Sequence, residues 1–152
     1  MPRVFDNTRT IAKDIAYGLK HQETNLDKMK RVLGVDLVNS TKEFGECAVF
    51  DYHDPEKKIW AEVKTRRPDK YRIFSYDTTI VGHNKICWAL ANADEYDCYF
   101  FFWYPKDGLY YIKADERLFK LKPSWQFIGT GEDKFNVYIP VEWLTKVEDA
   151  TA

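Results

Sequence analysis

Residues 47–65 read CAVFDYHDPEKKIWAEVKT: an apolar run interrupted by Asp51, a turn signal at Asp54-Pro55, and a second alternating run that carries Glu62 and Lys64. Side chains of a strand alternate between faces with period two, so Glu62 and Lys64 share one face while Ile59, Ala61 and Val63 take the other. If Cys47 to His53 folds back antiparallel onto Lys58 to Thr65, Asp51 comes to lie near Glu62. Two hard carboxylates side by side can hold a divalent cation, and Lys64 adds a positive charge next to it. A Glu-x-Lys pair alone is ordinary strand-surface decoration. Asp51 shifts the balance, because an unpaired carboxylate between Phe50 and Tyr52 is costly to bury and a nearby cation accounts for it better than chance.

Working outward, Ile11, Ile15, Leu19, Leu26, Met29 and Leu33 fall on one helical stripe, which predicts a helix over residues 8–33 that Gly18 bends or divides and Gly34 closes. Val35 to Asn39 reads as a short strand or the start of a loop. Tyr71 to Tyr76 is aromatic and β-branched enough for a third strand. Val81 to Ala93 reads as a second helix with Ile86, Leu90 and Ala93 on its buried stripe. Asp97 to Tyr104 is a continuous apolar run, as expected of a central strand buried on both faces. The turn Lys106-Asp107-Gly108 leads into a strand at Leu109 to Lys113, since Asp-Gly suits hairpin turns. Further strands are expected at Trp125 to Ile128 and Asn136 to Ile139, with a short helix after Pro140. The order is α, β, β, β, α, β with a β-rich extension, in a single domain spanning 1–152.

Composition narrows the classes. The chain has 152 residues and a net charge of −1, so any affinity for a polyanion must be local. Cys47, Cys87 and Cys98 are odd in number, lack metal-ligand spacing and sit in apolar runs, which predicts reduced, buried thiols and no zinc site. No apolar stretch reaches the ~20 residues that span a bilayer. The first residues, with Arg3, Asp6 and Arg9, lack the apolar core of a signal peptide, so an intracellular protein that is not secreted is expected. The aromatic residues dense at Tyr99 to Tyr104 read mostly as core.

The local charge is found after the acidic hairpin. Lys64, Arg66, Arg67, Lys70 and Arg72 are five cations against Asp69. Such a loop can grip the phosphates of a nucleic acid in a salt-dependent way, and its bland alternative is a solvated loop that protects a sheet edge. Lys85, with Asn84, opens the second helix, where backbone amides favour an anion. His53 points the same way as Asp51 and could touch the site.

The order helix, strand with Asp51, strand with Glu62-x-Lys64, helix, strand resembles the core of the PD-(D/E)XK nuclease superfamily over residues 8–104, with Phe50 where many members have proline. The resemblance implies a restriction-endonuclease-like α/β fold with an αβββαβ core, in which helices flank a mixed central sheet. It implies a metal-dependent endonuclease that hydrolyses phosphodiester bonds, with DNA the expected polymer. Asp51, Glu62 and the backbone carbonyl of Val63 would bind Mg²⁺, for which Mn²⁺ substitutes, and Lys64 would orient the attacking water or neutralise the phosphate. Glu23, which falls on the apolar stripe of the first helix, matches the acidic residue many members carry there. Two copies would be needed to cut both strands, so a homodimer is one expectation. The alternative is a catalytically inactive nucleic-acid-binding or assembly subunit of the same fold.

Overall fold

A computed structural model describes residues 25–40, 49–66, 72–128 and 132–147. The chain is an α/β fold built on a mixed central sheet. Helix α1 (25–33) is followed by β1 (Val38–Asn39), β2 (Tyr52–Asp54), β3 (Ile59–Thr65), β4 (Thr78–Gly82), helix α2 (His83–Ala91) and β5 (Asp97–Tyr104). After these come β6 (Gly108–Lys113), helix α3 (Glu116–Phe119), β7 (Ser124–Ile128), β8 (Glu132–Pro140), a 3₁₀ turn at Val141–Trp143 and β9 (Thr145–Lys146). The central sheet runs β1-β2-β3-β5-β6-β9, with β3 and β5 parallel and the remaining pairs antiparallel.

Strand alternation divides the core into two layers. On β5, Cys98, Phe100, Phe102 and Tyr104 face a cluster completed by Ile86 and Ala89 of α2, Leu118 of α3, and Val137 and Ile139 of β8. Phe101 faces the opposite layer with Met29 of α1, Leu37, Ala61, Val63 and Leu109. Buried on both sides, β5 has the continuous apolar sequence expected of a central strand.

Several boundaries differ from the sequence expectations. Residues 72–77 form turns and bends, and the third strand of the core is Thr78–Gly82 instead. That strand leaves the central sheet for a second one of order β4-β8-β7, where Val81 pairs with Val137 and Thr79 with Ile139. The pairing partner lies far along the chain, so local propensity could not locate it. Val81 belongs to β4, and α2 begins at His83. The buried stripe of α2 is Ile86 and Ala89, while Leu90 is exposed and Ala93 lies beyond the helix. Cys87 is exposed and Cys98 is buried, so the expectation of buried thiols holds for Cys98 and fails for Cys87. Both thiols are free; Cys47 lies outside the described residues. Helix α3, capped by Asp115 accepting from the Arg117 N–H, was not anticipated, and a 3₁₀ turn replaces the short helix expected after Pro140. Among the described residues, no helix is long and apolar enough to cross a membrane.

Candidate functional site

The β2–β3 hairpin fixes the site. Its register pairs Tyr52 with Ala61, His53 with Trp60 and Asp54 with Ile59, across a turn at 55–58 in which Lys58 takes φ +55°. Asp54 anchors that turn: Oδ1 accepts from the N–H groups of Glu56 (3.0 Å) and Lys57 (3.1 Å), and Oδ2 from the N–H of Asp36 (3.1 Å). Desolvation raises its pKa, but those backbone donors and the Lys57 ammonium outweigh it and leave the carboxyl below the usual range.

Asp51 lies one residue before β2, in a bend, with its carbonyl accepting from the Ser40 N–H at 2.8 Å. The hairpin register, continued one step past Tyr52 and Ala61, sets Asp51 against Glu62. Asp51 Oδ2 accepts from the Val63 N–H at 3.1 Å, and the Asp51 carboxylate lies close enough to Glu62 to act on its ionisation. The bend takes Phe50 out of simple alternation and into the same core layer as Trp60 and Trp88.

Glu62 is 4% exposed. Its register partner on β5 is Phe100, and around it Phe50 packs on Phe100 (5.6 Å between ring centroids) and Trp88 (5.5 Å), while Trp60 packs on Trp88 (5.2 Å). This aromatic wall keeps water away from the carboxyl. Burial pushes the Glu62 pKa up to about 8, the Asp51 carboxylate pushes the same way, and the charges of Lys64 and Lys85 oppose the rise. Two carboxyls set against each other in a poorly hydrated place cannot both ionise cheaply.

Lys85 comes from the first turn of α2 and points into this site. Its ammonium meets Glu62 Oε2, donates to the carbonyl of Val49 and lies 5.7 Å from the centre of the Phe50 ring, with only 18% of the side chain exposed. The sequence placed Lys85 among nucleic-acid contacts at an open helix end; the fold turns it inward against the carboxylate pair. Ser40 was also unforeseen, and its Oγ lies 3.0 Å from His53 Nδ1. His53 is buried and stacked on Trp60 at 4.8 Å, which makes it part of the wall beside the pair.

Lys64 is half-buried on the same strand face as Glu62 and acts on it electrostatically. Arg66 continues that face just beyond β3, donating to Thr79 Oγ1 (2.8 Å) and the Ile80 carbonyl (3.2 Å) and lying over the Phe102 ring at 5.8 Å. Arg72 makes a two-pronged pair with Asp107, Nε to Oδ2 at 2.9 Å and Nη2 to Oδ1 at 2.7 Å, and Asp107 also accepts from the Ile73 N–H. Glu23, Arg67 and Lys70 lie outside the described residues. Among the described residues, no cluster of three or more His, Cys, Asp or Glu side chains gathers at one point.

No protein-family model matches the sequence, and no curated protein matches it. A solved structure of a nuclease from a fusselovirus is similar to this chain with 13% sequence identity and a TM-score of 0.44, covering 96% of this chain and 89% of that one.

Proposed function

We propose that this protein is a metal-dependent nuclease that hydrolyses phosphodiester bonds in DNA. The observation that carries the reading is the Asp51–Glu62 pair: two carboxyl groups set side by side by the hairpin register, one of them buried beside an aromatic wall and pushed up to about 8. Such a pair is unfavourable for folding and is explained by a cation that binds both.

The donor set suits a hard divalent ion. Asp51 and Glu62 offer carboxylate oxygens, and the Val63 peptide presents its N–H to Asp51, so its carbonyl lies on the same strand edge, beyond the last β2 pair. Mg²⁺ is commonly held by one or two carboxylates and keeps several waters, so two acids with a carbonyl suffice. Mn²⁺ takes the same donors. When bound, the ion supplies a water of lowered pKa and offsets charge on the phosphate oxygens. Lys85 already places an ammonium among these oxygens, which marks the spot as favourable for positive charge. Lys64, on the same face, holds the attacking water or the phosphate. Glu23 is a further acid for this site. Arg66, Arg67, Lys70 and Arg72 are assigned to flanking phosphates, Arg72 the more weakly because Asp107 already neutralises it.

The same lysine favours a second reading. If Lys85 neutralises Glu62 permanently, the protein is a catalytically inactive nucleic-acid-binding subunit. A cleavage panel of single-stranded, duplex and branched DNA and of RNA, with Mg²⁺, Mn²⁺ or EDTA, decides between them. The nuclease reading expects metal-dependent cleavage of a DNA substrate. Binding without cleavage under every condition would establish the inactive subunit.

A further inference from the structure

Beyond the carboxylate pair, the same sheet face runs into a cleft of about 290 Å³ between β4, β8 and the 72–77 loop. Its walls combine Arg66 and Arg72 with Tyr76, Tyr104, Tyr138 and Thr79, and among the described residues no carboxylate lines it. Tyr104 is 4% exposed and fixed edge-on against Tyr110 at 6.0 Å, which makes a rigid back wall. Tyr76 stands at the opposite side with 59% of its surface exposed, on a loop that the Arg72–Asp107 fork pins to the β5–β6 turn. With Arg72 paired to Asp107, the cleft joins aromatic faces to the positive charge of Arg66, the two properties that single-stranded nucleic acid requires of a surface.

Its position fits as well. Glu62, Lys64 and Arg66 follow one another on one face, and the Arg66 N–H extends the ladder by donating to the Trp103 carbonyl at 2.8 Å. At ~3.3 Å per residue, Arg66 lies about 13 Å along the strand from Glu62. A nucleotide in the cleft would belong to the strand being cut and would flank the scissile phosphate. The volume lies at the low end for ligand sites, near 300 Å³, enough for one base and not for a paired stack.

We propose that this cleft takes one unpaired nucleotide of the substrate strand, its base against Tyr76 and its phosphate toward Arg66, so that the protein prefers nucleic acid with a single-stranded segment beside the cut. The proposal rests on the nuclease reading for its biological sense, but its test does not. A base within a duplex must leave its stack to enter such a site, which selects ends, flaps and single strands over intact duplex.

The test is fluorescence anisotropy in EDTA with a labelled oligothymidylate, a strand of the same length made wholly of abasic residues, and the matching duplex. The wild-type protein is expected to bind the oligothymidylate more tightly than either of the others. Tyr76→Ala should weaken binding of the oligothymidylate about tenfold or more, leave the abasic strand unaffected, and be rescued by Tyr76→Phe. Because Tyr76 is exposed, the alanine variant retains the fold, which circular dichroism checks. Equal effects of Tyr76→Ala on the thymidylate and abasic strands, or duplex bound as tightly as single strand, would overturn the proposal. Cleavage with an indifferent Tyr76→Ala would remove the cleft and leave the nuclease. Tyr76-dependent binding with no cleavage of any substrate would keep the cleft and remove the nuclease.

Discussion

Asp51 and Asp54 belong to one hairpin, three positions apart, and the fold treats them in opposite ways. Asp54 receives three backbone N–H groups and is held below the usual carboxylate range. Asp51 receives one N–H and is set against a second carboxyl that burial has driven up to about 8. An aspartate whose oxygens are all supplied by the backbone is part of the architecture. One set beside a buried glutamate adds to the cost of ionising it. The turn end of the hairpin thus stabilises the fold, and the open end carries a carboxyl pair whose burial costs stability.

The largest expected effect separates the two aspartates. Asp51→Asn, Glu62→Gln and Lys64→Ala should each lower cleavage by about a thousandfold or more with the fold intact, because residues around one ion fail as a unit. Asp54→Ala should instead lower stability by about 1–3 kcal/mol, through turn donors left unpaired, and still cleave when folded. Activity assays paired with urea melts check both; full activity in a folded Asp51→Asn protein would end the distinction.

The next effect is on pH dependence. The Glu62 pKa is raised from 4.5 to about 8 on folding, so the stability tied to its proton is fully present below pH 4.5 and is lost as pH rises through about 8. Thermal melts without metal should therefore show the wild-type midpoint falling across that window relative to Glu62→Gln. Mg²⁺ should restore it at the alkaline end, since a ligand that binds only the folded state stabilises it. Parallel profiles for the two proteins would show that Glu62 does not titrate in this way.

Smaller effects come from the lysine inside the site and the cations outside it. Lys85→Met removes the ammonium that competes for Glu62, so half-maximal activity should need severalfold less Mg²⁺. An increased requirement would make Lys85 a helper of the ion. Replacing Arg67 and Lys70 together by alanine should weaken binding about uniformly across sequences and reduce the slope of log K against log salt by roughly two. An unchanged slope would leave that loop as solvated surface.

The turn and second strand of the hairpin were legible because their clues are local: period-two alternation assigns Glu62, Lys64 and Val63 to faces, and Asp-Pro marks the turn; the first strand is shorter than the expected Cys47 to His53, beginning at Tyr52 after bends at 49–51. The burial of β5 from Cys98 to Tyr104 followed from its continuous apolar run. What stayed hidden depends on distant partners. The Tyr71–Tyr76 stretch has strand propensity, yet among the described residues 72–76 form turns and bends, whereas Thr78–Gly82 becomes a strand because β8 lies alongside it. Lys85 reads as an ordinary residue near a helix start until β3 brings Glu62 under α2. The role of Asp54 could have been found, since an aspartate two residues before an N–H it can cap is a standard turn arrangement.

The central claim of the proposed function is that Glu62, raised to about 8 beside Asp51, holds a proton that a metal ion replaces. Calorimetric titration of Mg²⁺ at pH 7 in two buffers of different ionisation enthalpy measures that exchange directly. The account predicts release of about one proton per ion bound by the wild-type protein and none by Glu62→Gln. Binding without proton release, or no binding at millimolar Mg²⁺, would contradict it.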